Sequence, residues 1–287
     1  MRKPCRAFLS VLSVLCPLTP AAALECPGPQ ALAAYVEDFK AARPSKGFGK
    51  DIDLAGAECA RARLIQELPA VLGRPVGYKA LFTNPASQRR FGVAGPAWGV
   101  MFERMMLPGG ARLSAAFGAR PRWEADFVVV VKDAGLAEAA SPLEALAHIS
   151  HLAPFIELPD LMIEGAPTGA ELIATNAAFR GGVLGARLAV EPSQALLDAL
   201  AEMDVVITEE VSGRELGREK GRVLMDNPIN AALWLAQALK ADGIRLKAGD
   251  LLSLGGFMGS QPTQPGTRIA VTYRGLPGNP VVMVGLD

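Results

Sequence analysis

Arg122-Trp123-Glu124-Ala125-Asp126-Phe127-Val128-Val129-Val130-Val131 is the stretch on which the fold turns. Phe127–Val131 is a β-branched and aromatic run, which predicts a strand whose i and i+2 side chains share a face. Glu124 and Asp126 then project together where that hydrophobic strand begins. Two neighbouring carboxylates repel unless a cation lies between them or one keeps its proton. A hard divalent ion such as Mg²⁺ or Mn²⁺ resolves the repulsion. The alternative is a solvated strand edge.

The next acidic feature is Phe155-Ile156-Glu157-Leu158-Pro159-Asp160. Apolar neighbours predict that Glu157 is at least half buried, and a buried carboxylate needs a partner. Convergence of Glu157 on Glu124 and Asp126 would make a three-carboxylate site; a salt bridge to an arginine is the other solution. Upstream, Gly77-Tyr78-Lys79 places a lysine between a glycine turn and an apolar stretch. There it is either desolvated and available to a substrate anion, or simply at the surface. His148 and His151 are read as ordinary histidines on the helix opened by Ser141-Pro142-Leu143-Glu144, a capping box with proline at the first helical position.

Elsewhere, further strands are expected at Val205–Thr208, Ile269–Tyr273 and Val281–Val284. Helices are expected at residues 29–42 (Leu32, Tyr35, Val36 and Phe39 at helical spacing), from Leu54 to Leu68, from Ser193 to Met203, and from Asn227 to Gly243. The basic cluster Arg214, Arg218, Lys220 and Arg222 reads as a solvated hairpin over Val206–Val223. Strands interrupted by scattered helices indicate an α+β fold rather than a regular βαβ alternation. No G-x-G-x-x-G follows a strand and no P-loop is present, which disfavours dinucleotide and ATP chemistry.

The 29 Lys and Arg balance 29 Asp and Glu, so nothing in the overall charge would attract nucleic acid. With only two His, a metal site would lean on carboxylates. The balance hides an asymmetry. Residues 1–23 run from a basic start (Arg2, Lys3, Arg6) through an apolar core to Ala21-Ala22-Ala23, the order of a secretory signal. The core falls short of the roughly 20 apolar residues a spanning helix needs, so no stable membrane anchor is expected. Cleavage near Ala23 would leave a net charge of −3 and two cysteines, Cys26 and Cys59. In an exported, periplasmic setting these suggest one disulfide, with two buried free thiols as the alternative. The division expected is signal peptide 1–23, N-terminal helical segment 24–72 and catalytic domain 73–287.

These pieces, taken in order, resemble the fumarylacetoacetate hydrolase superfamily, within it the 2-keto-4-pentenoate hydratase and 4-oxalocrotonate decarboxylase branch. The matching residues are Gly77-Tyr78-Lys79 with Leu81 and Thr83, Phe91-Gly92-Val93, Gly99-Val100-Met101-Phe102, Glu124-Ala125-Asp126, Phe155-Ile156-Glu157 and Asn176. Asn230-Ala231-Ala232 and Leu246-Lys247-Ala248-Gly249-Asp250 follow before a glycine-rich turn. The resemblance spans roughly residues 30 to 285. It implies a mixed β-roll built around a divalent metal, Mg²⁺ or Mn²⁺, held by Glu124, Asp126 and Glu157. Lys79 and Glu124 would be catalytic, and Tyr78, Asn176 and Gly256 would face the substrate.

The activity implied is a lyase adding water to a small 2-oxo or 2-hydroxy-dienoic acid, with a homo-oligomer left open. Decarboxylation on the same scaffold is a further option. Departures gather at the substrate end: Leu158-Pro159-Asp160-Leu161 replaces an acidic residue and a Ser-Arg pair, Thr175 replaces an Asp, and Gly256 and Met258 replace a Ser and a Thr. Thr267 also replaces an Asp. They motivate a second alternative, a divergent periplasmic binder of a small carboxylate. No N-terminal histidine supplies the Glu–His dyad of the superfamily's hydrolases, which disfavours hydrolysis.

Overall fold

A computed structural model describes residues 26–287; the segment read as an export signal lies outside them. Helix α1 (Pro29–Lys40) buries Leu32, Tyr35 and Phe39, the stripe its spacing predicts. Asp53 caps α2 (Leu54–Glu67) by accepting from the Gly56 N–H, satisfying one of the unpaired donors of the first turn. The Sγ atoms of Cys26 and Cys59 are bonded, tying the chain ahead of α1 to the middle of α2.

Two sheets follow. The first contains β1 (Pro75–Leu81), β2 (Ala97–Phe102), β3 (Arg122–Val131), β4 (Ile149–Pro159), β5 (Phe179–Leu184) and, late in the chain, a short strand at Leu251–Ser253. Across it the order is β2, β1, Leu251–Ser253, β3, β4, β5, with Met106–Pro108 at the far edge. The Leu251–Ser253 strand runs parallel to β1 and antiparallel to β3, so the sheet is mixed. The second sheet pairs β6 (Asp204–Glu209) with β7 (Arg214–Lys220), β8 (Thr267–Arg274), β9 (Val281–Leu286) and Arg112–Leu113. Helices α3 (Pro85–Phe91), α4 (Pro142–Ala147), α5 (Gly169–Ala174), α6 (Gln194–Glu202) and α7 (Pro228–Ala241) are interspersed. The fold is α+β, and among the described residues no helix is long and apolar enough to cross a membrane.

Phe127 to Val129 of β3 and Ala153, Phe155 and Ile156 of β4 are fully buried. Each large side chain of this kind stabilises the fold by roughly 1.5–3 kcal/mol relative to exposure. Tyr273 of β8 locks the two sheets together: its hydroxyl donates to the backbone carbonyl of Asp126, and its ring lies 5.0 Å from that of Phe127.

Strand β4 corrects the sequence expectation. The helix opened by Ser141 stops at Ala147, His148 closes it, and His151 stands on β4 rather than on the helix. From Leu152 onward β4, hydrogen-bonded between β3 and β5, is buried on both faces, so it lacks the alternation that marks a half-exposed strand. The capping box is also half formed. Ser141 Oγ accepts from the Glu144 N–H, but the Glu144 carboxylate accepts from Ala140 instead of Ser141.

Candidate active site

Strand register assembles the site. Glu124 on β3 is the direct partner of Glu157 on β4. Lys79 on β1 pairs with Ser253, which pairs with Val128, two residues beyond Asp126. By the two-residue period of a strand, Lys79, Ser253, Glu124, Asp126 and Glu157 therefore share one face. Neither a surface lysine nor a solvated carboxylate edge describes what results.

Lys79 is 1% exposed, with its Nζ 2.6 Å from Glu157 Oε1 and donating to the Ala177 carbonyl at 3.4 Å. Burial pulls the Lys79 ammonium down, but the charges of Glu157, Glu124 and Asp126 outweigh it and hold the pKa above that of an ordinary lysine. The buried Glu157 thus has a lysine for its partner, not an arginine. Burial, then the charge of Glu124, push the Glu157 carboxyl up to about 8 against the pull of Lys79. Glu124 is raised for the same first reason, and its carboxyl group is close enough to that of Glu157 to interact directly.

Asp126 is placed differently. Its Oδ1 accepts from the N–H groups of Phe127 (2.5 Å), Leu254 (3.1 Å) and Gly255 (3.0 Å), and its Oδ2 accepts from Ser253 Oγ at 2.6 Å. Burial and the charge of Glu157 still raise it to about 7. Asp126 thereby fastens the glycine-rich turn that follows Ser253, a role for which the sequence held no local sign because the donors lie some 127 residues away.

The donor set suits a hard cation. Both oxygens of Glu157 are buried without a well-directed hydrogen bond, and the surplus of carboxylate over ammonium leaves negative charge uncompensated. The cage is not closed: among the described residues no three acidic, histidine or cysteine side chains are gathered tightly enough to hold an ion as they stand. Glu124 and Glu157 meet, while Asp126 keeps only the unused side of Oδ2.

Above this cluster lies a cavity of about 230 Å³. Lys79 and Glu124 line it, with Leu81, Phe82, Phe91, Leu161, Leu172 and Met258 as apolar wall and Arg90 at the exposed rim. Gly256 also lines it, as expected. Tyr78 does not: it projects from the opposite face of β1 and packs edge-on against Trp98, 6.0 Å between ring centroids. Neither does Asn176, whose amide grips the backbone of Val100, accepting from its N–H at 2.7 Å and donating to its carbonyl at 2.9 Å. That clamp holds Asn176, Ala177 and Ala178 in consecutive left-handed conformations, which cost about 1 kcal/mol or more each. It thereby presents the Ala177 carbonyl to Lys79.

Two of the departures at the substrate end are structural. Asp160 is buried, accepts from the Ala119 and Arg120 N–H groups and pairs with Arg180 at 3.2 Å. The Thr175 hydroxyl donates to the carbonyls of Glu171 and Leu172.

Comparison with known proteins identifies the family and the fold. A 2-keto-4-pentenoate hydratase of Burkholderia vietnamiensis is 30% identical over 183 residues, 63% of this chain and 68% of that protein. The chain belongs to the 2-keto-4-pentenoate hydratase family. This hydratase-family chain is also 26% identical to a 4-oxalocrotonate decarboxylase of Pseudomonas putida, over 70% of its own length and 74% of that enzyme's. The solved structure of the decarboxylase from Pseudomonas putida G7, complexed with magnesium and adipate, shares the fold with a TM-score of 0.74, covering 90% of this chain and 97% of that one at 22% identity. No family model matches the chain. The relatives are enzymes, and a non-catalytic binder finds no support among them.

Proposed function

We propose that this chain is a divalent-metal-dependent hydratase that adds water to a small conjugated 2-hydroxy-dienoic acid. The observation that carries the proposal is the buried Lys79–Glu157 pair, with Glu124 beside it, at the closed end of a cavity whose wall is mainly apolar but also carries Thr83, Asn84, Ser87 and Ser260. Glu124, Asp126 and Glu157 are the residues that would hold the ion, Mg²⁺ or Mn²⁺. When bound, the ion supplies electrostatic stabilisation of negative charge on the substrate's carboxylate and 2-oxygen.

For 2-hydroxypenta-2,4-dienoate the balance is simple. The 2-hydroxyl loses its proton as C5 gains one; water oxygen then bonds to C4 and a proton reaches C3, giving 4-hydroxy-2-oxopentanoate. Lys79, held charged, steadies the anionic 2-oxygen. Glu124, the one carboxylate of the three that opens on the cavity, has its pKa raised by burial and is placed to carry a proton to or from the substrate. The apolar walls keep bulk water from the rest of the chain.

The test is the loss of dienol absorbance when protein and Mg²⁺ meet 2-hydroxypenta-2,4-dienoate. Turnover abolished by EDTA and by Glu124→Ala is the expected result. CO₂ release from 4-oxalocrotonate without hydration would assign decarboxylation instead, and tight binding without turnover would overturn the enzyme reading. We further infer export to the periplasm after cleavage near Ala23. The Cys26–Cys59 bond supports this, since such bonds persist in oxidising compartments. N-terminal sequencing of the secreted chain checks it, and a protein retained in the cytoplasm from Met1 would refute it.

A further inference from the structure

The rim of the cavity carries positive charge that the proposed substrate, a monocarboxylate, leaves unused. Arg90 lines the cavity at the end of α3, and among the described residues no carboxylate pairs with it. Its guanidinium Cζ lies 5.2 Å from the Phe91 ring centroid, and Phe91 in turn packs at 5.4 Å on Phe82, another wall residue. Arg122 stands close enough to Arg90 for the two cations to repel. It is held by Ser260, its Nε donating to Oγ at 2.8 Å and its terminal nitrogen to the backbone carbonyl, and Ser260 lines the cavity too. Arg90 at the rim, in no ion pair with an acidic side chain of the described residues, favours an anion beside it, and the nearby positive charge of Arg122 adds to that attraction.

The order along the cavity matters. Lys79, buried, lies with Glu124 at the closed end and Arg90 is exposed at the opening; between them Leu81, Phe82, Phe91, Leu161, Leu172 and Met258 supply most of the wall, with Thr83, Asn84, Ser87 and Ser260 as its polar members. Such a sequence of environments matches a molecule with an oxygenated anionic head, a conjugated hydrocarbon middle and a second anion at its far end.

We propose that Arg90, backed by Arg122, is a specificity-determining residue that selects a 2-hydroxy-dienoic acid bearing a second, terminal carboxylate. The inference rests on the hydratase reading for its chemistry but makes a separate claim about binding. Hydration leaves the distal carboxylate untouched, so the bonds made and broken are those already given.

The experiment compares 2-hydroxyhepta-2,4-diene-1,7-dioate with 2-hydroxypenta-2,4-dienoate for the intact protein and for Arg90→Gln. The intact protein is expected to favour the dicarboxylate by about tenfold or more in kcat/KM, through KM, as a charge-assisted hydrogen bond at a partly exposed site would. Arg90→Gln is expected to erase most of that preference, losing far more on the dicarboxylate than on the monocarboxylate. Equal losses on both substrates, or no preference in the intact protein, would overturn the proposal. If neither substrate turns over, the hydratase reading fails and calorimetry decides the rest, with heptanedioate against heptanoate as probes. Tighter heptanedioate binding that Arg90→Gln abolishes supports Arg90 as the reader of a second carboxylate; indifference to the substitution rejects it.

Discussion

Glu124 and Glu157 face each other directly across β3 and β4, and Lys79 reaches the same face from β1 with its Nζ 2.6 Å from Glu157 Oε1. Together with Asp126, three carboxylates thus share one buried ammonium. Taking such charges out of water is costly, and one lysine offsets only part of it. The remainder is expressed as upward displacement of the carboxyl groups, to about 8 for Glu157 and about 7 for Asp126.

Removal of the ammonium should therefore be severe. Lys79→Met is expected to lower the unfolding free energy of metal-free protein by about 3–5 kcal/mol, the range for breaking a buried pair from one side. Glu157→Gln is expected to cost much less, because it removes one of the surplus negative charges. Urea unfolding of the two variants measures the contrast, and equal losses would show that the lysine does not compensate the cluster.

Stability should also respond to pH with an unusual sign. An acid whose folded-state pKa is raised favours the protonated form, so its contribution is fully present below the unfolded value and is lost as pH rises through the folded one. For Asp126 and Glu157 that window runs from about 4 to about 8. Metal-free protein should lose thermal stability between about pH 5 and pH 8. Exposed carboxylates such as Glu209, drawn down to about 2 by Ser212 and its neighbours, stay ionised throughout and leave the slope alone. Saturating Mg²⁺ should flatten the curve. Melting temperatures with and without EDTA provide the check, and a metal-free protein most stable at pH 8 would contradict the charge surplus.

What could be read in advance follows a physical boundary. Glu124, Asp126, Glu157 and Lys79 announced themselves because ionisable residues bordering apolar runs must find partners, and strand parity placed the first two on one face. Parity also decided against Tyr78: as the neighbour of Lys79 on a strand it had to point the other way. Asn176 is not distinguished by its neighbours: its bonds go to Val100, far away in the chain, and nothing local separates an amide that clamps a backbone from one that meets a ligand. Strand β4 carries little periodic signal, since from Leu152 onward it is covered on both faces. Arg90 was silent in the sequence, and only the folding of α3 over the cavity brings it to the rim.

The Cys26–Cys59 bond spans a sequence separation of 33 and holds the start of α1 against α2. On the chain-entropy account, closure of such a loop stabilises by about 3–4 kcal/mol. Cys59→Ser should lower the unfolding free energy by about that amount. A reductant should lower it in the parent protein while having no further effect on the variant. Matching denaturant midpoints for oxidised and reduced parent protein would refute a stabilising bond.

Gly256 offers the sharpest probe of the substrate end. A Cβ at this position would lie 2.7 Å from Glu124 Oε2 and 3.0 Å from the Met258 carbonyl oxygen, so the Glu124 carboxylate occupies space that a side chain here would claim. The family resemblance leads one to expect a serine at this point of the glycine-rich turn, and its absence gives Glu124 its present position. Gly256→Ser would push the end of Glu124 aside and require the Met258 carbonyl to give by only a few tenths of an ångström, so the fold should survive with a stability loss of about 1 kcal/mol. Catalysis should not survive as well: displacing a reacting group by about 1 Å can cost on the order of 100-fold. The expected signature is a fall in kcat with a modest change in KM and a denaturant midpoint only slightly lowered. Full activity in Gly256→Ser would mean that the position of Glu124 against the turn is immaterial to the reaction.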